Sequence, residues 1–487
     1  MKLRDISLTL GAIVALAASG EALGKWTQVA QKMNQDNQYI TVTAWDDTSA
    51  AAGGIENVNG NSNTYAQYTT NGTTWSQANF GSGGGGGGLP IPAIPGKMSL
   101  GSKKTGYAID LFLGKVLKTT DGGASWADET IPAGGGLMGG ASFKDIHAID
   151  ANTAWAVGTK GLMLRRGYGG TGWEEVKGFK ESFGEVDLIK VNFANKARGY
   201  ALSRAEDEED TTIYYTRNGG GVWEKLSKVP YKLFSLSFGS CETLFAGSEK
   251  NKIGCILKST DGGVHWDENC NLPPYPLKNP FNGETSDMPQ MWVGDIVMFD
   301  ENTGFALSHY HQCEDCDPQT DEGCEACNMG KYFSSILLTA DGGKTWYRDE
   351  TFDPAGGGNE MFAARGFISL ACGTKNTCYT VGYYLTVMRW TRDNPVADDG
   401  SWKTKECSTS SIPDAGVVDD DDDDTSMDGG WDDGGGASDD DDVDNSGDKD
   451  DDNSMPWLDD DDSYNADKRE KIDDDSAKDG GCGCRVR

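Results

Sequence analysis

The sequence is short of several things that would point elsewhere. Hydrophobic residues make up 37% of its 487 positions, low for a globular chain, and His occurs only 4 times. Lys plus Arg total 43 against 77 Asp plus Glu, a net charge of −34. That deficit argues against nucleic acid and anionic membrane as partners, because phosphates would be repelled. No apolar run reaches the 18 residues that a membrane-spanning helix requires. The run Ile6–Ala18 follows Lys2 and Arg4 and precedes small residues up to Gly24, so residues 1–24 read as a secretory signal peptide and the protein as extracellular. HExxH, GxSxG and P-loop motifs are missing, as is a GxGxxG in strand–helix context. The Gly83–Gly88 run has no helix after it and reads as a flexible linker, not a phosphate cradle.

Charge is distributed unevenly. Residues 414–487 hold 28 Asp and 1 Glu against 7 Lys and Arg, so −22 of the net −34 belongs to them and −12 to the rest. With dense like charge and few apolar residues, 414–487 reads as a disordered tail. Two stretches, from Asp424 and from Asp442, imitate Ca2+ loops but lack the Glu of an EF-hand's twelfth position. The expectation is no resident cofactor, with weak, diffuse Ca2+ and cationic partners on the tail.

What the chain does have is a repeat. Four segments share [S/T]-x-[D/N]-x-G-x-x-W: Thr119 to Trp126 with Asp121, Thr216 to Trp223 with Asn218, Ser259 to Trp266 with Asp261, and Thr339 to Trp346 with Asp341. Three degenerate copies end at Trp75, Trp173 and Trp402. Each Asp-Gly or Asn-Gly sits between two apolar runs, where glycine's tolerance of positive φ makes a hairpin turn and the Asp or Asn oxygen can accept the turn's own N–H groups. The Trp then packs beneath the hairpin. Upstream of each turn lie a β-rich strand and, before it, a strand of small and aromatic residues such as Gly106-Tyr107-Ala108, Ala154-Trp155-Ala156 and Gly199-Tyr200-Ala201. Four short strands per unit and seven units predict an all-β chain: a seven-bladed β-propeller with four-stranded antiparallel blades over residues 25–413.

On these residues the chain resembles Asp-box (BNR) repeat propellers, a group that includes sialidases, sortilin-type receptors and xyloglucanases. The blade text is most similar to the Ycf48/HCF136-like photosystem II assembly factors. The resemblance runs from Trp26 to Cys407. It implies the propeller and, by way of those assembly factors, a protein-binding role. The plain secretory leader does not match a plastid address, and the group's basic ligand patch has no residue-by-residue counterpart.

With strands labelled A to D from the centre outward, the Asp boxes join C to D. The B–C and D–A loops then share the opposite face, and they are the long ones: 127–142, 271–291 and 349–365 between blades, 204–211 and 308–333 within them. Long loops on a rigid scaffold carry binding residues, so this face is the expected contact surface for a protein or glycan ligand. The alternative is a glycoside hydrolase, which needs two carboxylates across a cleft. Its candidates are Asp145, Asp187 and Asp295 on A strands, where a repeated position points to a structural role. The sialidase Phe-Arg-Ile-Pro motif is absent.

Cysteine has two readings at His309, His311, Cys313, Cys316, Cys324 and Cys327. The CxxC pairs and histidines suit a tetrahedral metal, and a secreted chain suits disulfides among the four thiols. Cys372 and Cys378 flank a turn and are expected to pair across it. Among Cys241, Cys255 and Cys270, two are expected to bridge and one to reach Cys407. Asn71-Gly72-Thr73 is the one glycosylation sequon.

Deleting the residues after Asp414 should leave the melting temperature nearly unchanged while removing most Ca2+ binding, measured by calorimetry. A drop of more than a few degrees would mean the tail docks on the body.

Overall fold

The computed structural model describes residues 24–32, 37–81, 93–132, 140–168, 170–278, 285–311, 332–352 and 366–407. Seven antiparallel blades make up a β-propeller. Blade 1 runs Gln38–Ala44, Ala50–Val58, Asn61–Thr69 and Ser76–Gln77; blade 2, Pro95–Leu100, Gly106–Asp110, Val116–Thr119 and Ser125–Asp128. Blade 3 runs Phe143–Ala148, Ala154–Gly158, Met163–Arg166 and Trp173–Glu175; blade 4, Leu188–Phe193, Gly199–Ser203, Thr211–Thr216 and Glu224–Val229. Blade 5 runs Lys232–Phe238, Leu244–Lys250, Ile253–Ser259 and Asp267–Asn269; blade 6, Trp292–Met298, Gly304–His311, Tyr332–Thr339 and Tyr347–Arg348.

Blade 7 is closed differently from what the sequence pattern predicts. Its strands Phe367–Thr374, Thr377–Gly382 and Thr386–Arg392 are joined at the outer edge by the N-terminal strand Gly24–Ala30, with Trp26 opposite Trp390. Trp402 therefore does not occupy the repeat position. It lies in a short 3-10 turn, Ser401–Lys403, beyond the last blade strand, with its ring edge-on to Phe299 at 5.0 Å. The count of seven stands because the chain's start supplies the missing D strand. A ring closed by strands from both ends resists fraying.

Local chemistry explains the C–D turns. In blade 2, Thr119 Oγ1 accepts the Gly123 N–H at 2.9 Å, and Asp121 Oδ1 accepts the Ser125 N–H at 2.9 Å. The same bonds recur at Thr216/Asn218, Ser259/Asp261 and Thr339/Asp341. Blade 1 uses Thr69 and Asn71 in the same way: Asn71 Oδ1 accepts the N–H groups of Thr73 and Thr74 at 3.0 and 2.8 Å. The sequon asparagine is thus a turn cap. Both glycines of the four full turns hold positive φ, from +71° to +98°.

The second of these glycines is where one blade meets another. An added Cβ on Gly343 would stand 2.9 Å from the Phe245 ring, and on Gly123 2.9 Å from the Ala51 Cβ. Gly220 and Gly263 face Trp155 and Tyr200 in the same manner. All four partners belong to B strands of the preceding blade. Trp155 Nε1–H and Tyr200 O–H also donate to the carbonyls of Gly219 and Gly262, at 3.2 and 3.0 Å. B strands are crowded on both faces, so they read Gly-aromatic-Ala and are buried along their length.

Two departures from the sequence reading concern connections. A seven-residue helix, Lys177–Phe183, stands in the D–A connection between blades 3 and 4 and buries Phe179 against Tyr214 and Trp223. A hairpin of Tyr275–Lys278 and Thr285–Met288 stands between blades 5 and 6. The Gly83–Gly88 run, Cys313, Cys316, Cys324, Cys327, the leader and the acidic tail lie outside the described residues.

The buried Trp126, 3% exposed, sets the expected cost of losing a box tryptophan. Trp126→Ala should destabilise by about 3–5 kcal/mol in urea unfolding. Trp266, only partly buried, should cost less. A loss below about 1 kcal/mol for Trp126→Ala would mean that this ring does not hold blade 2 to blade 1.

Candidate functional site

The site is built from the seven A strands, which ring the central channel. Each carries a β-bulge near its start, and the residue after the bulge takes the same register in every blade: Thr41, Lys97, Asp145, Lys190, Ser235 and Ser369, with Asp295 inside the two-residue bulge of blade 6. An A strand has an unpaired edge facing the channel, and its N–H groups need acceptors. The preceding blade provides them. Thr41 Oγ1 accepts Met98 N–H at 3.2 Å and Thr43 Oγ1 accepts Leu100 N–H at 2.9 Å. Ser99 Oγ accepts Ala148 N–H at 2.9 Å, and Ser237 Oγ accepts Met298 N–H at 2.8 Å. Asp145 and Asp295 do the same for Val191 and Leu370, at 3.0 and 2.9 Å.

Asp145 and Asp295 are therefore equivalent positions. Asp187 is not: it precedes its strand, its Oδ1 accepts the Lys160 N–H at 3.0 Å, and Lys190 holds the corresponding place in blade 4. The sequence spacing concealed this because the Asp187-Leu188-Ile189 text sits three residues early relative to the bulge.

The ring encloses a polar cavity of about 130 Å³ lined by Asp145, His147, Lys190, Asn192, Ser235 and Asp295, among others. Its charges are mutually compensating. Lys190 Nζ lies 3.5 Å from the Asp145 carboxylate. Burial alone would lower the Lys190 pKa, but Asp145 and Asp295 outweigh it and hold it above the ordinary lysine value. Burial pushes Asp295 up, and Lys97, Lys190 and the Leu370 N–H outweigh that and keep it below the usual range. Burial takes His147 down to about 4, and its Nε2 is buried with no hydrogen-bond partner. Both carboxylates are committed to holding blades together. Neither is a free acid or base poised against the other.

The face formed by B–C and D–A connections carries the rest of the candidate surface. Tyr275 packs against Tyr310 and Phe333 at 5.3 and 5.4 Å, so the extra hairpin leans on the lengthened B–C hairpin of blade 6. Tyr310 O–H shares a hydrogen bond with Ser335 Oγ at 2.9 Å. His309, a candidate metal ligand, is 6% exposed and stacks on Trp292 at 4.7 Å; its Nδ1 is 3.3 Å from Ser334 Oγ, and burial lowers its pKa to about 4. Its ring is thus engaged within blade 6. His311 ends the same strand, and no metal-binding cluster is present among the described residues. The acidic run Glu206–Asp210 is partly neutralised by Lys232 on Glu209 at 2.6 Å and Lys228 on Asp210 at 3.4 Å.

The large apolar side chains left exposed were not signalled by any motif. Among the described residues they are Val58 (44%), Phe112 (49%), Val222, Ile253 (50%) and Tyr347. Val58, Phe112 and Ile253 stand at B–C turns of blades 1, 2 and 5, all on one face. These tips carry no long insertion, so loop length does not mark them.

Three disulfides occur among the described residues. Cys255–Cys270 and Cys372–Cys378 are local, and Cys241–Cys407 spans 166 residues. No helix among the described residues is long and apolar enough to cross a membrane.

No family model and no curated protein sequence matches the chain. Among solved structures it is similar to the GH74 xyloglucanase from Xanthomonas campestris: 14% identity, TM-score 0.50, covering 77% of this chain and 54% of that one. It is similar also to YCF48 bound to D1 peptide, at 15% identity and TM-score 0.48, covering 76% of this chain and 97% of that one. YCF48 from Cyanidioschyzon merolae matches at 12% identity and TM-score 0.47, covering 76% and 100%. The chain spans about half the length of the xyloglucanase. What is shared at these identities is the propeller.

The two buried imidazoles give a pH expectation. Their folded pKa of about 4 lies below the ordinary 6.5. Between those values the unfolded chain binds protons that the folded chain does not, so stability is complete above about pH 6.5 and falls as pH drops toward 4, by up to about 3 kcal/mol per ring. Urea midpoints should decline from pH 7.5 to pH 4.5, and less steeply in His147→Gln and His309→Gln. An unchanged slope in both variants would place the acid sensitivity elsewhere.

Proposed function

We propose that the chain is a secreted, non-catalytic binding propeller of the Asp-box type that recognises a protein through the face of its B–C and D–A connections. The observation that carries this reading is that three exposed large apolar side chains, Val58, Phe112 and Ile253, stand at B–C tips on that one face. Exposed large apolar side chains, each costly to leave in water, mark contact surfaces when they share a face. The hairpin and helix added to the same face enlarge it. The hydrolase reading has less support, since Asp145 and Asp295 each give one carboxylate oxygen to a backbone N–H of the next blade. Glycan recognition is the companion possibility on the same face, and the tail is proposed to attract cationic partners and Ca2+ weakly.

The test is a protein and glycan interaction array with the full chain, repeated with Phe112→Asp and Ile253→Asp, alongside a polysaccharide hydrolysis panel. The expected result is a protein ligand whose affinity falls at least tenfold in either variant with the melting temperature unchanged. Hydrolytic turnover abolished by Asp295→Asn in a still-folded protein would establish the enzyme instead.

A further inference from the structure

After its last blade strand the chain does not leave the propeller. Residues 393–407 run back across the face of the A–B turns. Asn376 in the A–B turn of blade 7 bonds Val396 in both directions, at 2.8 Å each. The Lys403 ammonium lies 4.2 Å over the Trp45 ring and donates to the Trp45 carbonyl, in blade 1. Lys405 Nζ–H donates to the Phe299 carbonyl of blade 6 at 3.1 Å, and its backbone N–H donates to the Ala194 carbonyl of blade 4 at 2.7 Å. Asn195 Nδ2–H donates to the Lys405 carbonyl at 2.9 Å. Cys407 then bonds Cys241 in the A–B turn of blade 5.

Trp45, Ala194 and Phe299 are one register position, four residues beyond the ring members Thr41, Lys190 and Asp295. They are the last ring of channel backbone before the turns. A segment that begins on blade 7, touches both of that blade's neighbours, and ends on blades 4 and 5 has to cross the channel axis. The strap therefore covers the A–B mouth and leaves the loop face as the other end of the cavity.

The strap's hold is mostly polar. Burial lowers both Lys403 and Lys405 to about 8, so their contacts bear a desolvation cost. Its one large apolar anchor is the Trp402 ring on Phe299. The covalent bond closes a loop of 166 residues, and both its cysteines are partly exposed, whereas Cys372 and Cys378 are buried.

We propose that Cys241–Cys407 is a redox latch holding residues 393–407 as a removable plug over the A–B mouth of the channel. A dithiol reductant opens it by thiol–disulfide exchange: the bond accepts two electrons and two protons, Cys241 and Cys407 become thiols, and the dithiol becomes its own disulfide. The ligand surface on the opposite face is not required for this.

The test uses the folded full chain treated with graded dithiothreitol, followed by thiol alkylation, peptide mapping, hydrogen exchange and carbethoxylation of histidine. The expected result is alkylation of Cys241 and Cys407 before Cys372 and Cys378. Exchange across 393–407 should quicken at least tenfold, and modification of His147, which lines the cavity and whose Nε2 is buried without a hydrogen-bond partner, should rise at least fivefold while His309 stays unmodified. Cys407→Ser should show the same fast exchange without reductant, with unchanged far-ultraviolet circular dichroism. Earlier alkylation of Cys372 or Cys378, slow exchange of 393–407 after the bond has opened, or unchanged His147 modification would each overturn the proposal.

Discussion

Everything in this molecule depends on the contact between the second glycine of a C–D turn and the B-strand side chain of the blade before it. The turn brings its backbone against Ala51, Trp155, Tyr200 or Phe245, and at Gly123 and Gly343 a Cβ would stand only 2.9 Å from the partner. That requirement forces positive φ and glycine at one position. It also forces a capped turn, because a backbone pressed against a ring cannot turn to water for its hydrogen bonds. The Ser or Thr and the Asp or Asn supply the bonds internally. The tryptophan fills the volume beneath. Blades 2, 4, 5 and 6 are thus keyed to their predecessors, and the N-terminal strand closes the ring at blade 7.

The channel is governed by a second version of the same rule. A strands expose an edge to the axis, and in blades 2, 3, 4, 6 and 7 that edge is met by hydroxyl or carboxylate oxygens from the neighbouring blade. Where a carboxylate serves, its charge must be matched, and Lys190 and Lys97 match it. The result is a polar, charge-balanced interior that holds blades together. Two of the carboxylates that read as catalytic candidates, Asp145 and Asp295, accept backbone N–H groups of the next blade here.

Much of this was legible from residues alone. The four full box motifs, with Asp121, Asn218, Asp261 and Asp341, each announce a turn whose hydrogen bonds lie within a few residues of one another. Local bonds of that kind leave a local text. The degenerate copies at Trp75 and Trp173 also lead into an outer strand that pairs in place. Cys372 and Cys378, across a four-residue turn from each other, were legible for the same reason.

Trp402 shows the boundary. Its spacing imitates a seventh repeat, yet Gly24–Ala30 had already taken the outer edge of blade 7, so the last tryptophan was free to anchor a strap on Phe299. Nothing near Trp402 in the chain records that Trp26 lies beside Trp390. Asp187 was misplaced because Lys190, three residues later, holds the ring position of blade 4, a register that strand text does not display. The sequence by itself determined the blade, its turn and its number, because each rests on contacts between near neighbours. Only the tertiary structure decided which chain end closes the ring, which carboxylates share the channel, and where residues 393–407 lie. Those outcomes depend on edges competing for partners hundreds of residues apart, and that competition is settled by geometry after the blades have formed.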